Sequence, residues 1–98
     1  MNEAKEGAGG AFSARIRGRV QGVGFRYCAV HEARSLGLVG WVRNRSDGTV
    51  EIWSEGPPEK QTAFLQWLHQ GPPSARVDVV QHEPRKPTGK YQNFSIKC

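Results

Sequence analysis

Gly18-Arg19-Val20-Gln21-Gly22-Val23-Gly24-Phe25-Arg26 joins a segment that alternates like a strand to one with helical spacing. Before it, Phe12, Ala14 and Ile16 alternate with Ser13, Arg15 and Arg17, the pattern of a half-buried strand. After it, Phe25, Cys28, Ala29, Ala33 and Leu36 recur at helical intervals, which predicts a helix from Phe25 to Leu36 stopped by Gly37. Three glycines fall within seven residues of the junction. Glycine leaves its amide uncovered and accepts backbone angles that other residues resist. A glycine-rich turn opening a helix offers free N–H donors and the positive end of the helix dipole. Arg26, in the first turn, adds a planar fork of donors suited to a phosphate or a carboxylate. The stretch therefore predicts a site for a small phosphate-bearing ligand.

Working outward, Leu38 to Asn44 and Thr49 to Glu55 read as two strands joined by the turn Ser46-Asp47-Gly48, a hairpin. Gly56-Pro57-Pro58 punctuates the chain, and Glu59 to Gln70 reads as a second helix with Gln61, Phe64, Leu65 and Leu68 on one face. Gly71-Pro72-Pro73 ends it. Ala75 to Glu83 is a fourth strand with Val77 and Val79 in alternation, Pro84 to Lys90 a polar loop, and Phe94 to Cys98 a short last strand. The order β-α-β-β-α-β with one appended strand predicts an α+β domain. Its form is a ferredoxin-like α/β sandwich, a mainly antiparallel sheet with two helices on one face. In that fold the first strand is central, so the glycine loop and the hairpin end meet at one rim. Arg26 and Asn44 are then neighbours.

The chain has 98 residues, 37% hydrophobic, enough for one core. Residues 1–10 read as a frayed polar tail and 11–98 as the domain. The tail lacks the apolar stretch of a secretory signal, and no run of about 18 apolar residues would cross a membrane. The expected location is the cytoplasm. Cys28 reads as a small core filler and the terminal Cys98 as an exposed thiol, with no disulfide expected there. The net charge is +5, and its excess collects at residues 11–45, where seven arginines face only Glu32. Such a field favours an anionic partner.

Two stretches resemble a known family. Gly18 to Arg26 is similar to the first signature of the acylphosphatases. Gly37-Leu38-Val39-Gly40-Trp41-Val42-Arg43-Asn44-Arg45-Ser46-Asp47-Gly48-Thr49-Val50-Glu51 is similar to the second. The resemblance covers residues 12–98. It implies hydrolysis of the carboxyl–phosphate bond of acyl phosphates to a carboxylate and inorganic phosphate, without a metal or other cofactor. By motif position, Arg26 would bind the phosphoryl group and Asn44 would hold the attacking water. The backbone N–H groups of Gln21, Gly22, Val23, Gly24, Phe25 and Arg26 would form the phosphate cradle. A small-molecule acyl phosphate is then the partner, inorganic phosphate the expected competitive inhibitor, and a monomer the family default. Arg45 stands where some members carry Thr, and position 24 varies between Gly and bulkier residues.

Other residues read as structural. His31, His69 and His82 lack ligand spacing and read as surface residues. Asp47 reads as a turn residue, Glu51 and Glu55 as exposed strand residues, and Trp41, Trp53 and Trp67 as packing. The competing class is a non-catalytic phosphate- or RNA-binding module of the same architecture. The first strand has Phe12 but no run of RNA-stacking aromatics, and the conspicuous aromatics lie elsewhere. Nucleic acid is therefore the disfavoured partner.

Overall fold

The computed structural model describes residues 9–98. Their order is β1 (Gly10–Arg19), α1 (Phe25–Ser35), β2 (Val39–Asn44), β3 (Val50–Gly56), α2 (Pro58–Gln70), β4 (Arg76–Arg85) and β5 (Phe94–Ile96). The tail expected over residues 1–10 lies outside the described residues up to position 8. Gly10 is the first residue of β1, opposite Gly56. The sheet order is β4-β1-β3-β2-β5. β1 runs antiparallel to β3 and β4, β2 antiparallel to β3, and β5 parallel to β2 at the edge. This is the ferredoxin-like sandwich with its appended strand.

The alternation in β1 sends Phe12, Ala14 and Ile16 under the helices, where they meet Val42, Val50, Ile52 and Phe94 of the sheet. Phe25, Ala29 and Ala33 of α1 and Phe64 and Leu68 of α2 close the core from above. Phe64 is its hub, edge-on to Phe94 at 5.6 Å and stacked on Trp67 at 6.3 Å. Each fully buried phenylalanine contributes about 1.5–3 kcal/mol of apolar transfer. Gln61 is buried in the face predicted for it, and its Nε2 donates to the carbonyls of Ser54 and Gly10. Its polar head is thereby satisfied and ties α2 to β3 and β1.

Three expectations need correction. Val79 is exposed, and Val77 and Val80 pack on the core instead. Arg17 pairs with Val79 while Gly18 pairs with Val77, so Asp78 is an extra residue in β4 and breaks the period of two. β4 also runs on to Arg85, through Pro84, where the sequence pattern predicts a loop. An edge strand tolerates a proline because its missing N–H need not face a partner. Glu55, expected on the exposed face, is only 5% exposed. It lies on the helix-free face of the sheet, but the chain after β4 covers it. Its carboxylate accepts hydrogen bonds from the backbone N–H of Thr88 (3.0 Å) and of Gly89 (3.1 Å), from Thr88 Oγ1 (2.8 Å) and from Trp53 Nε1 (2.7 Å). Burial alone would push its carboxyl up; those four donors outweigh burial and hold it below its ordinary value.

The register sets one rim of the sandwich. Ile16 and Asn44 both face Val50, and Arg19 faces Arg76. The ends of β1 and β2 and the starts of β3 and β4 therefore share an edge. On it lie the loop 20–24, the hairpin turn 45–49 and the connection 71–75.

Candidate active site

The glycine loop is anchored from below and open above. Val20 and Phe25 are buried and Val23 packs against the core, while Gly22 and Gly24 are exposed. Gly22 and Gly24 have φ of 76° and 80°, the left-handed region that an L side chain resists. A Cβ on either would meet nothing within 4 Å, so the backbone turn requires glycine, not crowding. Gly24 caps α1 without a side-chain hydrogen bond, and the first turn carries no acidic residue. Among the described residues, the N–H groups from Gln21 to Arg26 donate to no other backbone carbonyl. The loop thus keeps a run of unused donors at the positive end of a helix, an arrangement fit for an oxyanion. Its outer carbonyl at Val23 is taken by Ser74 Oγ at 2.7 Å.

Arg26 lies in the first turn of α1 and is half-buried. Among the described residues, the arginine ion pairs belong to Arg43, Arg45, Arg76 and Arg85, and Arg26 enters none. Its charge is uncommitted, in the helical turn that follows the loop. Asn44 is the last residue of β2, and its Oδ1 is buried without a hydrogen-bond partner. An unpaired buried acceptor of this kind costs about 1–3 kcal/mol, a cost that water or a ligand removes.

What joins the two halves is the side chain of Gln21. Its Nε2 donates to the carbonyls of Arg45 and Thr49, each at 2.8 Å, across 24 and 28 positions of sequence. The loop is pinned directly to the hairpin that carries Asn44. The motif resemblance implies only the backbone N–H of Gln21 and reveals neither this tether nor the Ser74 contact. A polar residue between Val20 and Gly22 is the one signal available for Gln21; Ser74 offers none.

The hairpin itself is tightly turned. Asp47 Oδ1 accepts from the N–H of Thr49 (3.0 Å) and from its Oγ1 (2.6 Å), which lowers the Asp47 carboxyl below its usual value. Asp47 is the turn residue expected. Glu51 Oε1 accepts from Arg43 Nε (2.7 Å) and Arg45 Nη1 (3.0 Å). Burial raises its carboxyl, and the two guanidinium bonds overcome that and keep it ionised.

Residues outside this rim do not converge on it. His31, His69 and His82 are exposed as expected, although the His69 and His82 rings meet edge-on at 6.4 Å. Cys28 is half-exposed and not a core filler. It lines a groove with Tyr27, Trp67 and Pro72, because the buried stripe of α1 runs through Phe25, Ala29 and Ala33. Trp41 and Trp53 face each other across β2 and β3 on the helix-free side, so one conspicuous aromatic does lie on a central strand. Lys97 sits over the Trp41 ring at 4.4 Å, with Arg43 at 5.4 Å. Among the described residues, no three His, Cys, Asp or Glu side chains are grouped to hold a metal ion.

Comparison with known proteins decides the family. The acylphosphatase family model matches residues 12–96. The chain belongs to the acylphosphatase family. It is an acylphosphatase enzyme, a hydrolase of acyl phosphates. An acylphosphatase of Thermococcus kodakarensis is 57% identical over 82 residues, which cover 84% of this chain and 89% of that protein. The crystal structure of the acylphosphatase from Bacillus subtilis superimposes with a TM-score of 0.86 at 38% identity, covering 90% of this chain and 98% of that one. An acylphosphatase from Coxiella burnetii gives 0.88 at 33% identity, covering 99% and 100%. Both signatures of this acylphosphatase lie inside the matched span. No helix among its described residues is long and apolar enough to cross a membrane.

Proposed function

We propose that the enzyme cleaves the carboxyl–phosphate bond without a metal, with Arg26 binding the phosphoryl group and Asn44 orienting the attacking water. The N–H groups of Gln21 to Arg26 form the cradle for the phosphoryl oxygens. The observation that carries this reading is the Gln21 bridge, which fixes a loop of unused donors against a hairpin that ends in an unused acceptor.

An acyl phosphate is a mixed anhydride, and its leaving group is a carboxylate, stable as an anion at neutral pH. No general acid is needed to expel it. Catalysis of phosphoryl transfer comes mainly from positioning and charge stabilisation, and an arginine on the transferring group contributes about 10³–10⁵ in related systems. Water oxygen bonds to phosphorus as the bond from phosphorus to the acyl oxygen breaks, and that electron pair leaves on the carboxylate. The carboxamide of Asn44 can orient the water but is too weak a base to deprotonate it. The proton passes to a phosphoryl oxygen of the substrate. Inorganic phosphate, the product, occupies the same cradle and competes. The chain acts as a monomer in the cytoplasm.

The test is hydrolysis of benzoyl phosphate in EDTA by the full chain and by Arg26→Ala. Steady turnover in EDTA, with a loss of both turnover and phosphate affinity in the variant, is the expected result. Turnover that needs added metal, or an Arg26→Ala enzyme of wild-type rate, contradicts the reading.

A further inference from the structure

We propose that Arg45 forms a second anion subsite beside Asn44, so that the preferred substrates are acyl phosphates whose acyl part carries its own carboxylate. The proposal rests on the hydrolytic reading of the Arg26–Asn44 rim and adds to it the class of acyl group.

A depression of about 230 Å³ at the end of β2 is lined by Arg43, Asn44, Arg45 and Ser46. Its lining therefore joins the residue assigned to the water to two arginines. Arg45 is fixed in place but under-used. Its Nη1 bonds Glu51 Oε1 at 3.0 Å, while its Nε is buried without a hydrogen-bond acceptor. The nearest carboxylate oxygen to that Nε, Asp47 Oδ2, is 3.9 Å away, beyond hydrogen-bond reach. A guanidinium has five N–H donors, and one bond leaves most of them free. About a third of the side chain, 32%, faces outward.

Glu51 alone does not neutralise the pair. The same Oε1 serves Arg43 and Arg45, and Asp47 Oδ2 lies 3.9 Å from Arg45 Nε, so the two acids balance the two arginines in number. Arg15, opposite Glu51 on β1, leaves the cluster with one positive charge in excess. Asp47 is the remaining acid of the turn, and both its hydrogen bonds go to Thr49 through Oδ1. The shared Glu51 contact also holds the fork before a ligand arrives, which reduces the entropy lost on binding. The subsite is coupled to the cradle through its own backbone, because the carbonyl of Arg45 accepts one of the two Gln21 bonds. The backbone of Arg45 is thereby held in register with the loop 21–26.

The experiment compares kcat/KM for benzoyl phosphate and 4-carboxybenzoyl phosphate at low ionic strength, using the full chain. Charge-assisted hydrogen bonds of this kind correspond to a preference of about 10- to 100-fold. The expected wild-type ratio favours the carboxylated substrate by at least about 10-fold. In Arg45→Gln the ratio falls by about 10-fold or more. In Arg85→Gln, which removes equal charge from the far end of β4, it stays at the wild-type value. The comparison between variants removes the intrinsic difference in reactivity of the two substrates. If both substrates turn over and the ratio is no higher in the wild type than in Arg45→Gln, the subsite is wrong and the hydrolytic reading stands. An equal fall in Arg85→Gln also overturns it, since bulk charge would then suffice. If neither substrate turns over, the hydrolytic reading fails and the subsite with it.

Discussion

Replacing Gln21 by Met keeps the backbone N–H in the cradle and most of the side-chain volume, but removes the bridge to the hairpin. Two hydrogen bonds of 2.8 Å are lost. At a net 0.5–1.5 kcal/mol each, the loss is about 1–3 kcal/mol. The two carbonyls are not orphaned, because Arg45 O still accepts from Gly48 N–H at 3.1 Å and Thr49 O from Arg45 N–H at 2.9 Å. The cost therefore belongs in the lower half of that range, about 1–2 kcal/mol. In a domain of this size that lowers Tm by roughly 4–16 °C. The kinetic effect is the larger one. With the bridge gone, the loop and the hairpin proposed to hold the phosphoryl group and the water are no longer pinned by this side chain, and a 1 Å misplacement costs on the order of 10²-fold. Urea unfolding and kcat/KM for benzoyl phosphate measure the two effects in one preparation. A variant that loses stability yet keeps its full rate would refute the claim that Gln21 sets the register of the site.

Two further outcomes follow from local geometry. Gly24→Ala places a Cβ in open space at a φ of 80°, so its cost is purely conformational, about 1–2 kcal/mol, with weakened phosphate affinity; equal stability by urea unfolding would contradict the left-handed turn. Glu55 has a folded-state carboxyl held below its unfolded value, so the unfolded chain binds the proton more readily and stability rises with pH through that window. Its contribution is complete above the unfolded value, about 4.3, and is lost as pH falls through the lower folded one. The urea midpoint of Glu55→Gln should change less than that of the wild type between about pH 5 and pH 3, and an identical pH profile would rule out this role for Glu55.

Local pattern carried the architecture because local physics decides it. Phe12, Ala14 and Ile16 show the period of a half-buried strand, Gly37 stops α1, and Asp47 builds the turn that makes β2 and β3 a hairpin. The failures share one cause, which is distance along the chain. The extra residue at Asp78 is defined by its pairing with β1, some 60 positions away, so the alternation of Val77 and Val79 points to the wrong face. Glu55 is covered by Thr88 and Gly89, 33 and 34 positions on, and nothing around Glu55 announces them. Cys28 falls on a helical repeat, but the groove against Trp67 belongs to the packing of α1 beside α2. At the rim, the residue types of the cradle are legible in Gly22, Gly24 and Arg26. The mutual placement of cradle and hairpin is legible only through the strand order, and the atom that enforces it, Gln21 Nε2, becomes visible in three dimensions.

The central claim is a division of labour across the rim, in which the loop ending at Arg26 holds phosphate and Asn44 holds water. The most direct measurement is made on Asn44→Ala: the dissociation constant of inorganic phosphate by calorimetry, beside the turnover of benzoyl phosphate. The expected result is phosphate affinity close to wild type with turnover lost. Hydrolysis at the wild-type rate, or a parallel collapse of phosphate binding in a folded Asn44→Ala enzyme, would contradict it.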